Sequence, residues 1–128
     1  MTKDPLVYLD YILECILIIE NQAQKISFAQ FLDSIPVQDI VLRRVQGIGQ
    51  AVKSLPQSIK VKFPDVAWKE IAGMRDKLVH DYMEIDLELT WGVVKKDLPI
   101  LKKQISKIKS DIITQAGKSW QITNYLPL

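Results

Sequence analysis

Arg75, Asp76, His80 and Tyr82 stand close together in the run Gly73-Met74-Arg75-Asp76-Lys77-Leu78-Val79-His80-Asp81-Tyr82. His80 is the only histidine in the chain, so chemistry that needs a group titrating near neutral pH has one candidate. The guanidinium of Arg75 offers a planar fork suited to a carboxylate or a phosphate. On a helix of ~3.6 residues per turn, Asp76 and His80 share a face. An aspartate placed there can hold an imidazole N–H, fixing its tautomer and favouring its protonated form. Arg75 and Tyr82 share a stripe two turns apart, whereas Arg75 and His80 are about 140° apart. One copy of such a helix leaves an Arg–His pocket open. A second surface, or a helix that unwinds after His80, is needed to close it.

The elements that must position these residues read as helices. Asp4-Pro5 marks a helix start, with aspartate as N-cap and proline in the first turn. Leu9, Ile12, Leu13, Ile16 and Ile19 follow at helical spacing, and Leu17 and Ile18 broaden the apolar face enough to pack on two sides. Ser27-Phe28-Ala29-Gln30 has the form of a capping box, opening a short helix that ends before Pro36. Val37, Val41, Val45, Ile48, Val52 and Leu55 form the next stripe. Gly47 and Gly49 interrupt it at ~1 kcal/mol each relative to Ala. Gly47 shares a face with Ala51, which suggests a close approach by another helix. A phosphate-binding glycine loop is the sharper alternative, but no strand precedes these glycines and no Gly-Lys-Ser/Thr follows.

Residues 56–64 read as a linker bounded by Pro56 and Pro64. Ala67, Ile71, Met74, Leu78 and Tyr82 then carry one helical stripe through the motif. Asp86 opens a last long helix on which Trp91, Val94, Leu98, Leu101, Ile105, Ile108 and Ile112 alternate at +3 and +4. That phase survives Pro99, which predicts a single helix kinked there. Lys95, Lys96, Lys102, Lys103, Lys107 and Lys109 lie on its outer face, either a solvated face or a surface that tracks phosphates. The expected architecture is an all-α, up-and-down helical bundle over residues 1–114. Residues 115–128 lack a clear period and read as an irregular tail.

Composition limits the alternatives. The chain has 128 residues and is 48% hydrophobic, enough for one domain with a modest core. A net charge of +2 does not by itself announce a nucleic-acid binder. The single cysteine, Cys15, excludes an intrachain disulfide and an all-cysteine metal site. Ile16-Leu17-Ile18-Ile19 is bracketed by Glu14 and Glu20 and is far short of a membrane span of ~20 residues. The chain therefore reads as cytoplasmic and soluble.

The segment Ile71 to Tyr82 resembles the Arg-x-x-x-x-His-x-Tyr signature of HepT-like proteins, HEPN-domain ribonuclease toxins paired with a minimal nucleotidyltransferase (MntA-like) antitoxin. Tyr8-Leu9-Asp10-Tyr11-Ile12-Leu13 is similar to the opening helix of that family, and Ile48-Gly49-Gln50-Ala51 to its Ile-Gly-Glu-Ala segment. Phe63-Pro64, Trp68-Lys69-Glu70 and Asp97-Leu98-Pro99 extend the likeness over residues 6–112 or so. The resemblance implies a homodimeric helical bundle whose two Arg–His motifs face each other across a cleft. It implies cleavage of RNA, mRNA or tRNA, without a metal or other cofactor. It also implies nucleotide binding at Tyr82, adenylylated (AMPylated) by the partner to silence the toxin. Asp76 stands where asparagine is common, Gln50 replaces a glutamate, and Met83-Glu84 replaces the frequent Phe-Gly. Glu84 brings a negative charge toward the presumed phosphate site.

Within that reading, Arg75 and His80 are the catalytic pair, Asp76 supports His80, and Tyr82 contacts RNA or is the modification site. The ribose 2′-hydroxyl is the expected nucleophile. A base, an acid and cations are then needed around the phosphate, and two copies of the chain supply two imidazoles and two guanidiniums. The apolar breadth of the first helix, the Gly47/Ala51 face and the split Arg–His geometry all call for a second chain. Two plainer alternatives remain. His80 and Arg75 could be a helix cap and a surface ion pair. The chain could also be a non-catalytic subunit that binds nucleotide or presents substrate to a nucleotidyltransferase.

Overall fold

Eight helices occupy the described residues of the computed structural model, 4–80 and 84–125, with side chains described as far as residue 116. Helix α1 (Pro5–Ala23) begins where expected: Asp4 Oδ1 accepts the Leu6 N–H at 2.9 Å. Helix α2 (Phe28–Asp33) opens with a full capping box, Gln30 N–H to Ser27 Oγ at 3.2 Å and Ser27 N–H to Gln30 Oε1 at 2.8 Å. Ser34 then caps α3 (Ile35–Ser54) through the Val37 N–H at 3.3 Å. The buried Gln38 donates its Nε2–H to the carbonyls of Phe31 and Leu32, satisfying the end of α2 from the first turn of α3.

The core is a three-helix seam. Leu9, Ile12, Ile16 and Ile19 of α1 meet Val41, Val45, Ile48 and Val52 of α3, and Leu98, Leu101, Ile105 and Ile108 of α8 (Leu98–Tyr125). Each fully buried aliphatic side chain contributes ~1.5–3 kcal/mol of transfer free energy. Helix α1 packs on both α3 and α8, as its broad apolar face requires, although Leu17 stays 52% exposed. The close approach expected at Gly47 is real and lies within the chain. A Cβ built there would meet the Tyr11 hydroxyl at 2.7 Å. The Gly47 face is thus filled by α1 and gives no argument for a second chain.

Three expectations need correction. Residues 56–64 are not a bare linker: Gln57–Lys62 form α4. The stripe through the motif is broken into α5 (Trp68–Ala72) and α6 (Met74–Leu78) at Gly73, and Ala67 is exposed while Val66 and Trp68 are buried. Residues from Gln115 to Tyr125 continue α8 as helix rather than an irregular tail. Gly117 is the only glycine or proline in that stretch, so no strong breaker opposes the backbone ladder.

Around Pro99 the last helix changes winding instead of running as one regular helix. Asp86 Oδ1 accepts the Leu89 N–H at 2.9 Å and starts α7 (Leu87–Gly92). A π-helical turn, Val93–Asp97, joins α7 to α8 and includes a bond from the Leu98 N–H to the Val93 carbonyl. Proline lacks the N–H and its ring crowds the carbonyl four residues back, so the wider turn ahead of Pro99 relieves that clash.

Half of the lysine face of this last helix is engaged inside the fold. Lys102 pairs with Glu20 at 3.0 Å and Lys109 with Asp10 at 2.6 Å, tying α8 to α1. Lys95 donates to the Ala23 carbonyl at 3.3 Å and lies 4.6 Å from the ring centroid of Trp91. Trp91 in turn packs on Phe31 at 5.0 Å, so these contacts join the end of α1, α2 and the last helix. None of the described helices is long and apolar enough to cross a membrane.

Candidate active site

Helix α6 is short, and its orientation is set by what it buries. Met74 and Leu78 face the core, at 8% and 0% exposure. Arg75 therefore points aside, toward α3. Its guanidinium borders a niche of about 110 Å³ formed with Gln46, Gly49, Gln50 and Lys53 of α3 and with Ala72 and Asp76. Gly49 permits this approach, because a Cβ there would sit 3.0 Å from the Ala72 carbonyl oxygen and 3.4 Å from that of Ile71. The second glycine of α3 is thus a contact surface for the end of α5, not a phosphate loop. Trp68 braces the same segment by donating its Nε1–H to the Phe63 carbonyl at 2.9 Å.

His80 is carried beyond the helix. Helix α6 ends at Leu78, and Val79 is extended, with φ −115° and ψ 118°. Val79 pairs antiparallel with Ile85, the His80 N–H donates to the Glu84 carbonyl at 2.6 Å, and the Asp86 N–H donates to the Leu78 carbonyl at 2.8 Å. These bonds tie Leu78, Val79 and His80 to residues 84–86, and His80 is exposed. The helix therefore ends two residues before His80, not after it as the sequence suggested.

That early ending changes the role expected of Asp76. The i, i+4 stacking on His80 requires an unbroken helix to residue 80, and the helix stops short of it. Among the described residues no hydrogen bond joins the two. Asp76 instead lies 3.6 Å from the Arg75 guanidinium and is 82% exposed. The stripe expected to join Arg75 and Tyr82 runs outside the described residues. Tyr82 itself, with Asp81 and Met83, lies outside the described residues. Gln46 and Lys53, which face the Arg75 niche together with Gln50, were not singled out from the sequence. Their signal was the i, i+4, i+7 spacing of Gln46, Gln50 and Lys53 on the polar side of α3.

Tyr11 is the described side chain with a shifted titration. Its hydroxyl is held above the usual phenol range, first by a hydrogen bond with the Cys15 thiol, then by that group's charge and by burial, with Arg44 acting in the opposite sense. Cys15 is fully buried in the core.

The chain resembles known proteins in sequence over most of its length. A family model described as ribonuclease HepT-like matches residues 12–108. The chain is 41% identical over 125 residues to a Methanocaldococcus jannaschii protein named "Gamma-glutamylcyclotransferase and putative RNase MJ0434", covering 98% of this chain and 56% of that longer protein. It is 41% identical over 107 residues to "Putative RNase TTE0752" of Caldanaerobacter subterraneus subsp. tengcongensis, covering 83% of this chain and 95% of the relative. It is 39% identical over 102 residues to "Probable ribonuclease HepT" of Thermococcus cleftensis, covering 80% and 93% respectively. No solved structure matches the chain significantly. The matched segment contains α2 to α7, most of α1, the start of α8, the α3 niche, Arg75 and His80, and the chain belongs to the HepT-like ribonuclease family.

Proposed function

We propose that this chain is a metal-independent endoribonuclease that works as a homodimer, the toxin of a toxin–antitoxin pair. Its activity is silenced when a minimal nucleotidyltransferase attaches a nucleotide to Tyr82. The observation that carries the reading is the relation of Arg75 to His80: a guanidinium in a polar niche, and an exposed imidazole just past the end of the same short helix. Relatives named as ribonucleases support the substrate class.

In the mechanism this supports, the ribose 2′-oxygen attacks phosphorus while His80 accepts its proton. The 5′-oxygen leaves with a proton supplied by the partner subunit's His80. The products are a 2′,3′-cyclic phosphate and a 5′-hydroxyl, and the two imidazoles have exchanged protonation states. Each such proton transfer contributes ~10²–10⁴-fold in rate. Arg75 holds the non-bridging oxygens and offsets the charge that builds on them. With one histidine per chain, the acid and the base require two copies.

The test is incubation of purified protein with total RNA in the presence of a chelator, wild type beside Arg75→Ala and His80→Ala. Cleavage by wild type alone, with cyclic phosphate ends and unchanged melting of the variants, is the expected result. Intact RNA with wild type would favour instead a non-catalytic, nucleotide- or substrate-binding subunit.

A further inference from the structure

Charge is segregated across the two short helices that carry the motif. On one side of α5 and α6, a groove lined by Ile71, Met74, Leu98 and Leu101 is rimmed by Asp65, Glu70 and Asp97, with Lys77 its one cation. On the other side lies a groove of about 320 Å³ between α3, α4 and α5, into which Lys53, Lys60 and Lys69 converge and which no acidic residue lines. Its floor is Val52, Val61, Trp68 and Ala72. This basic groove shares Lys53 and Ala72 with the Arg75 niche, so the two hollows adjoin. Among the described residues, Lys53, Lys60 and Lys69 have no carboxylate partner within salt-bridge distance, whereas Lys102 and Lys109 of α8 do.

We propose that the Lys53–Lys60–Lys69 groove is the binding track for the RNA strand flanking the phosphate held at Arg75. The inference rests on the ribonuclease reading and adds where the rest of the substrate lies. A flexible single strand suits the site for three reasons. The groove is shallow and open. Its cations sit on long stems that can follow a backbone, with their methylenes over the apolar floor. The floor gives sugar and base a surface to cover, and Gln57 at the rim gives them a hydrogen-bonding group. The long lysine face of α8, the more obvious phosphate-tracking surface, is the weaker candidate because half of it is engaged with α1, the end of α1 and Trp91.

The test uses a fluorescent 2′-O-methyl oligonucleotide, which lacks the nucleophile, and the triple variant Lys53→Gln/Lys60→Gln/Lys69→Gln beside a triple Lys→Arg control. Each phosphate contact on a single strand contributes ~0.7 to the slope of log affinity against log salt. Wild type and the Arg control should share one slope, and the Gln variant should lose about 2 from it. With cleavable RNA, kcat/KM of the Gln variant should fall more on a long oligonucleotide than on a dinucleotide. An unchanged slope in a folded Gln variant overturns the track. So does a lowered slope with no dependence of the cleavage defect on length, since the lysines would then serve an anionic partner other than substrate. Wild type that binds the oligonucleotide with the expected slope but never cuts RNA overturns the ribonuclease reading while the lysine track stands.

Discussion

Gly49 faces the carbonyl oxygen of Ala72 so closely that a Cβ would lie 3.0 Å from it. Gly92 has nothing within 4 Å of the same construction. Alanine should therefore act oppositely at the two sites. Gly92→Ala should stabilise by up to ~1 kcal/mol through helix propensity alone. Gly49→Ala gains the same propensity but must displace α5 from α3, an overpacking cost of ~1–3 kcal/mol. It should melt at or below wild type and lose RNA cleavage, because the shift moves Arg75 out of register with the α3 face. Thermal melts with a cleavage assay check both halves. A Gly49→Ala protein as active as wild type would refute the role given to this contact.

Asp76 lies 3.6 Å from the Arg75 guanidinium, so on the proposed reading it competes with the RNA phosphate for that group. Asp76→Asn should leave the pH profile of kcat in place. It should tighten binding of uncleavable RNA by no more than about 5-fold, the range of an exposed ion pair. A displaced pH profile would restore the orienting role.

Control at Tyr82 has a simple chemical test. Tyr82→Phe keeps the ring and removes the oxygen that would accept a nucleotide. The variant should fold normally and escape silencing when a cognate nucleotidyltransferase is co-expressed, with no mass increase of the intact protein. A nucleotide still attached to the Phe variant, with silencing retained, would exclude this residue as the switch.

Tyr11 should leave a signature in alkaline stability. Its folded pKa is raised above the ordinary 10.0, chiefly by the Cys15 hydrogen bond. The neutral phenol is thus the form the fold prefers. Its stabilising contribution is fully present below the unfolded pKa and is lost as pH rises through the folded one. Melting temperature of wild type should fall more steeply above about pH 10 than that of Tyr11→Phe. Parallel curves for the two proteins would count against the Tyr11–Cys15 bond.

Much of this fold was legible in the residues because its signals are local. Asp4, Ser27 and Asp86 cap the helices they were expected to cap, and the stripes of α1, α3 and α8 are buried along their predicted faces. The failure at the motif has a plain cause: periodicity does not report where a helix stops. Ile71, Met74 and Leu78 keep helical spacing across the break at Gly73, and nothing in the side-chain pattern marks the turn to extended backbone at Val79. The candidate site was found by residue type and resemblance, but its geometry depends on that break. The α3 residues that line the niche with Arg75 were missed because their convergence requires knowing that the end of α5 packs on α3 at Gly49.

The pairing of α8 with α1 also has a consequence for synthesis. Glu20 and Lys102 are 82 residues apart in the chain. At ~5–20 residues per second, α1 waits roughly 4–16 s after leaving the ribosome before its second helical neighbour is made. During that interval α3 can cover only part of the α1 apolar face. The nascent chain thus passes through a two-helix stage with Ile12, Ile16 and Ile19 incompletely shielded, which is the period when a ribosome-bound chaperone would matter most to the yield of folded protein.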